Sequence, residues 1–195
     1  MERTSVQNLA RALRVMVVVI FVCNLIALYF VPTLAAMLAE NRWDGQTMER
    51  LLSGQLGFWL EFSIHVWHPV VWMLALTGED FYWPVLAVFL LVCGICTAMI
   101  LWQAKRVLDT ILAGDPFSMN NDANMKRAAV CCFVISGAAL VRLIWGLVYY
   151  ASIRPLLTYN SLFVPVFLVG GLLFLVMSAL FRQAAELKTE NDLTI

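Results

Sequence analysis

The chain alternates between long uninterrupted apolar runs and short polar connections. A helix that crosses a bilayer needs about 20 consecutive, mostly apolar residues. Val15 to Leu34, Pro84 to Trp102 and Ser161 to Phe181 meet that length without a charge, and Ala128 to Ile153 meets it with one, Arg142. The pattern predicts an all-α membrane protein: a four-span helix bundle with an outer interfacial helix and a cytoplasmic helical hairpin. The first run is too long for a signal-peptide core and reads as an anchor that stays in the chain. All of residues 1–195 then form one integral membrane domain: outer segment 35–83, cytoplasmic hairpin 103–127 and cytoplasmic tail 182–195.

A fifth apolar stretch, Gly54 to Leu76, carries Glu61, His65, His68 and Pro69 among Trp59, Trp67 and Trp72. Charge bias decides its place, because basic residues beside spans favour the cytoplasm. With four spans, Arg3, Arg11, Arg14, Lys105, Arg106, Lys126, Arg127, Arg182 and Lys188 lie inside, against Arg42, Arg50 and Arg154 outside. A fifth span would move Lys105, Arg106, Lys126 and Arg127 outside, against the bias. The stretch is therefore expected at the outer interface, lying on it or dipping into it, where tryptophans are favoured.

Composition agrees with lipid as the solvent. The chain is 62% hydrophobic and 13% charged, against about one quarter charged in soluble domains. All five cysteines (Cys23, Cys93, Cys96, Cys131, Cys132) fall in apolar stretches, which argues against a secreted disulfide framework. Cys93 and Cys96 form a C-x-x-C in an apolar run, where thiols behave as small hydrophobes.

The hairpin between the second and third spans is legible residue by residue. Lys105 to Ala113 continues the second helix, Gly114 supplies a left-handed stop and Pro116 blocks resumption. Ser118 is a suitable N-cap, and Asn121 stands where a capping box has Glu or Gln. Lys126 and Arg127 mark the membrane entry. Gln183 to Lys188 are mostly good helix formers that extend the fourth span, and Leu193 and Ile195 end the chain among polar residues.

Gly114-Asp115-Pro116-Phe117-Ser118, then Asn121, Lys126-Arg127 and Cys131-Cys132, resembles a bacterial membrane family, catalogued as domain of unknown function 2975, whose usual pattern is G-N-P-F-[ST]-x-E-N before a basic helix. The ending Ala185 to Ile195 resembles that family's ending, while Asn120 departs from its common Glu. The resemblance covers the four-span layout and implies a bacterial cytoplasmic-membrane protein without an established activity. It also implies a small helix-turn-helix regulator of the Cro type as partner, since members are often encoded beside one. Asp115, Pro116, Phe117, Ser118, Asn121, Lys126, Arg127 and the tail Glu190, Asn191, Asp192, Leu193, Thr194 and Ile195 become the candidate contact residues.

Other candidates for chemistry are few. Glu61, His65 and His68 share one helical face and are zinc-ligand types. They come without an evident orienting shell, so no metal and no cofactor are expected. Arg142 within a span is expected to face the bundle or its outer mouth, near Trp145, Tyr149 or Glu61. Asn24 is expected to bond across helices. No Ser–His–Asp set, phosphate loop or intramembrane carboxylate pair occurs, which points away from an enzyme. The leading expectation is a non-enzymatic membrane regulator or sensor that contacts the bilayer and a cytosolic protein, without direct nucleic-acid binding. The alternatives are a small-molecule or peptide transport or immunity protein built on Arg142, and an outer-face metal site. Reporter fusions at Gly114 and Lys188 are expected to read cytoplasmic and one at Gly45 external; an external signal at Gly114 would make Gly54 to Leu76 a span.

Overall fold

A computed structural model describes residues 2–40, 82–115, 117–151 and 153–192. These residues form four long helices: α1 (Glu2–Glu40), α2 (Tyr82–Leu112), α3 (Met119–Tyr150) and α4 (Tyr159–Asp192). A short 3-10 turn, Arg154–Leu157, precedes α4. No strand occurs among the described residues. Each long helix contains a segment long and apolar enough to cross a bilayer: Gln7–Val31, Val85–Leu112, Met119–Tyr149 and Ser161–Asn191. The fold is an all-helical membrane bundle. The helices outrun the apolar runs read from sequence because good helix formers and charged turns continue them past the hydrocarbon. The Gly54 to Leu76 stretch lies outside the described residues, as do Glu61, His65 and His68.

One boundary differs from expectation. The third apolar run continues to Ile153, yet α3 stops at Tyr150, and Ala151 turns left-handed at φ 44°. Pro155 accounts for the stop. Proline has no N–H to offer the Ala151 carbonyl, so the α-helical ladder cannot run through this point. The chain instead turns through Arg154–Leu157, closed by the Thr158 hydroxyl on the Pro155 carbonyl at 2.6 Å.

The described chain falls into two compact units, residues 1–25 with 93–195 and residues 26–92. In the second, Leu86, Ala87 and Leu90 form a small apolar cluster. The first contains the larger packed interface, between α3 and α4. There the Ser136 hydroxyl donates to the Val164 carbonyl at 2.9 Å, and the Ser178 hydroxyl donates to Asp122. Ser136 lies fourteen residues after Asp122 and Val164 fourteen before Ser178, so α3 and α4 run antiparallel in constant register. Among the described side-chain positions of α4 the buried ones are Gly171, Ser178 and Ala185, each seven residues from the next. That spacing keeps one face turned toward a partner helix, and small residues there let the backbones approach. Ala129, Ile135 and Ala139 are fully buried on α3.

The α1 helix meets α2 through two contacts in the first unit. Arg14 Nε lies 2.7 Å from Asp109, and the Phe21 and Trp102 rings stand 5.8 Å apart. Phe21 is seven residues beyond Arg14 and Trp102 seven before Asp109, so this pair is also antiparallel. Most of the apolar surface of α1, including Val15, Val19 and Ile26, is exposed. That is the expected state for a helix whose solvent is lipid. The start of α1, the end of α2, the start of α3 and the end of α4 therefore share one end of the bundle.

Gly171 gives this packing a direct test. A Cβ there would lie 2.8 Å from the Phe133 ring, whereas one at Gly170 meets nothing within 4 Å. Gly171→Leu should lower stability by ~1–3 kcal/mol through overpacking. Gly170→Ala should leave it unchanged or slightly raised, as read by thermal unfolding in mild detergent.

Candidate functional site

The shared end is built around the turn that joins α2 to α3. Gly114 adopts φ 83°, a conformation that costs glycine little and other residues more. Around it, Asp115 N–H donates to the Thr110 carbonyl at 3.1 Å and Gly114 N–H to the Ile111 carbonyl at 3.2 Å. These two bonds satisfy carbonyls that a helix end leaves open. Pro116 lies outside the described residues. Beyond it, the Ser118 side chain accepts from Asn120 N–H and caps α3.

Asn121 does not complete a capping box. Its side chain reaches across to α2, where its Nδ2 donates to the Thr110 hydroxyl at 2.8 Å. That hydroxyl passes its own proton to the Val107 carbonyl at 2.7 Å. Asn121 is fully buried, so this bond satisfies a polar group that would otherwise carry a desolvation cost of ~1–3 kcal/mol. The next residue, Asp122, turns to α4 and receives the Ser178 hydroxyl, and Lys126 Nζ lies 2.9 Å from its second oxygen.

Charged pairs surround this core. Asp109 takes Arg14 at 2.7 Å and Lys105 at 2.9 Å, and Arg182 pairs with Glu186 at 2.9 Å. Lys188 reaches Asp115 at 2.8 Å, which ties the end of α4 to the hairpin. Exposed pairs of this kind contribute ~0–1 kcal/mol each, so they align the surface more than they hold it. Phe117, Met119 and Leu187 are exposed at the same end. The candidate contact residues Asp115, Phe117, Ser118, Asn121, Lys126 and Arg127 thus lie at one end with Glu190 and Asn191, which belong to the last turns of α4. The Asp192 side chain and Leu193, Thr194 and Ile195 lie outside the described residues.

The remaining candidates lie elsewhere. Arg142 is half-buried on α3. Trp145 and Tyr149 are exposed. The Cys96 and Cys131 thiols lie beside each other across α2 and α3, and the described cysteines are free of disulfides. Among the described residues no group of three or more His, Cys, Asp or Glu is placed to hold a metal ion. The Oδ1 of Asn24 and Oε1 of Gln103 are buried without a hydrogen-bond partner among those residues, so the expected cross-helix bond of Asn24 is not made by its carbonyl there.

Thr110, Ser178 and Lys188 were not singled out by sequence. The i, i+4 pairs Lys105–Asp109, Asp122–Lys126 and Arg182–Glu186 are a visible helical signal. The seven-residue spacing of Gly171, Ser178 and Ala185 would have revealed Ser178. Nothing local marks Thr110 or Lys188, whose partners lie eleven and seventy-three residues away.

A family model described as a protein of unknown function, DUF2975, matches residues 74–195. The chain belongs to the DUF2975 family. The match covers α2, α3 and α4, including the hairpin, the buried Asn121–Thr110 and Asp122–Ser178 ties, and the end of α4. No curated protein and no solved structure matches the chain.

The Asp122–Ser178 tie is testable by a double-mutant cycle. Asp122→Ala and Ser178→Ala should each lower stability by ~1.5–3 kcal/mol, as expected for a hydrogen bond to a charged group. The double variant should lose much less than the two losses added. Additive losses in thermal unfolding would mean that the two side chains act independently.

Proposed function

We propose that this DUF2975 chain is a non-enzymatic, multi-pass protein of the bacterial cytoplasmic membrane, with both termini in the cytoplasm. In this reading its hairpin–tail surface binds a small helix-turn-helix protein and holds it at the membrane, away from DNA. The observation that carries the reading is the Lys188–Asp115 pair at 2.8 Å. It joins two stretches far apart in sequence into one surface, on which Phe117, Met119 and Leu187 are exposed between charges. Apolar anchors ringed by charge suit a protein contact. The gathering of Arg14, Lys105, Lys126, Arg182 and Lys188 at this end supports the cytoplasmic orientation. An outer segment that senses an envelope or lipid signal would complete the device.

A second reading rests on Arg142, a half-buried cation within a span. Intramembrane charge commonly marks a ligand or coupling site, and on this basis the chain would be a small transport or immunity protein. The two readings separate on Arg142→Leu, which should spare partner retention under the first and abolish function under the second.

The direct experiment follows a tagged candidate regulator by membrane fractionation, with the intact chain, with Phe117→Ala and with residues 190–195 deleted. The regulator should sediment with the membrane only when the intact chain is present. A regulator that never does so rejects the sequestration model. One that stays on the membrane with both variants rejects only the proposed surface.

A further inference from the structure

The basic end holds more cation than its carboxylates engage. Asp109, Asp115, Asp122 and Glu186 pair with Arg14, Lys105, Lys188, Lys126 and Arg182. Arg11, Arg106 and Arg127 are exposed, and none has a carboxylate partner among the described residues. Two of these arginines border the same seam. On α2, Cys96, Gln103 and Thr110 lie seven apart on the side of α3, where Thr110 accepts from Asn121 and Cys96 neighbours Cys131. Beside this row Val107 and Leu108 are buried, whereas Trp102 and Arg106 are exposed. On α3, the row through Asn121, Asn124, Ala128, Cys131 and Ile135 has a buried flank at Ala129 and Cys132, and an exposed flank at Ala123, Arg127 and Val130. The buried flanks face the interior, so Arg106 and Arg127 stand on the same outer side, in a groove that α1 borders through Phe21 against Trp102.

Their depth is also similar. Arg106 lies four residues inside Thr110 and Arg127 six inside Asn121, which at 1.5 Å per residue is about 6 and 9 Å. Both fall within the segments suited to cross the bilayer, Val85–Leu112 and Met119–Tyr149. Lys105 and Arg106 stand 5.3 and 5.9 Å from the centre of the Trp102 ring. A half-exposed tryptophan under cations belongs at the headgroup boundary. At that depth lipid headgroups reach Arg106 and Arg127, the latter also a candidate partner contact from the sequence. A planar guanidinium fork matches phosphate oxygens in a way that a lone ammonium does not.

We propose that Arg106 and Arg127, beside Trp102 on the outer flank of the α2–α3 seam, bind the phosphate of an anionic phospholipid of the phosphatidylglycerol class. This site does not depend on the regulator proposed above. The test uses the full chain in mild detergent, titrated with phosphatidylglycerol, phosphatidylcholine or inorganic phosphate, with bound molecules counted by native mass spectrometry. The wild type should retain phosphatidylglycerol in preference to phosphatidylcholine. R106Q/R127Q should bind it on the order of thirtyfold more weakly, and each single variant about fivefold more weakly. R182Q, whose arginine is engaged by Glu186, should bind as the wild type does. The single variants carry the test if the double variant unfolds before lipid is added. Equal retention of the two lipids, or undiminished binding by the arginine variants, overturns the proposal. Inorganic phosphate bound as tightly as the lipid overturns the assignment to a phospholipid.

Discussion

A polar side chain buried between membrane helices must find a partner within the bundle, and two consecutive residues of α3 meet that demand in opposite directions. Successive residues on a helix point about 100° apart. Asn121 therefore reaches the Thr110 hydroxyl on α2, while Asp122 accepts from Ser178 on α4. Hydrophobicity cannot arrange these helices, because lipid tails are as apolar as the side chains they would replace. The specific alignment of the bundle end follows from this divergent pair, together with the small-residue seam that lets α3 and α4 approach.

From that alignment comes a surface with two textures. Within the apolar helices, Trp102, Arg106 and Arg127 are exposed about a turn and a half from the bundle end. At that end, the Asp115–Lys188 pair draws the end of α4 against the α2–α3 turn. The first texture suits lipid phosphate and the second suits a protein. A chain that anchors a partner would use both, one to set its height in the membrane and the other to present a fixed shape to the cytosol.

The four spans were legible in the sequence because a run of about 20 apolar residues has few alternatives. The turn between α2 and α3 was legible because Gly114 and Ser118 act through their own backbone neighbourhoods, as the left-handed turn and the cap at α3 show. Asn121 was read through the same local logic, as an imperfect capping box. Its actual partner is on another helix, and no local rule names it. The end of α3 was misjudged by three residues, since hydropathy continues to Ile153 while the backbone obeys Pro155. For Arg142 the sequence indicated a bundle-facing position, and the side chain is half-buried on α3. Hydropathy alone does not say what such a cation is for.

The account depends most on α3 holding the α2–α3 turn and the end of α4 together. The measurement that reaches this most directly is the distance between spin labels at the exposed Ala113 and Leu187, attached through a non-cysteine handle. Pulsed dipolar spectroscopy on the wild type and on Asn121→Ala/Asp122→Ala would read it in lipid. The account predicts one short, narrow distribution in the wild type and a broadened one in the double variant. A broad or long distribution in the wild type, or a narrow one that survives loss of both side chains, would contradict it.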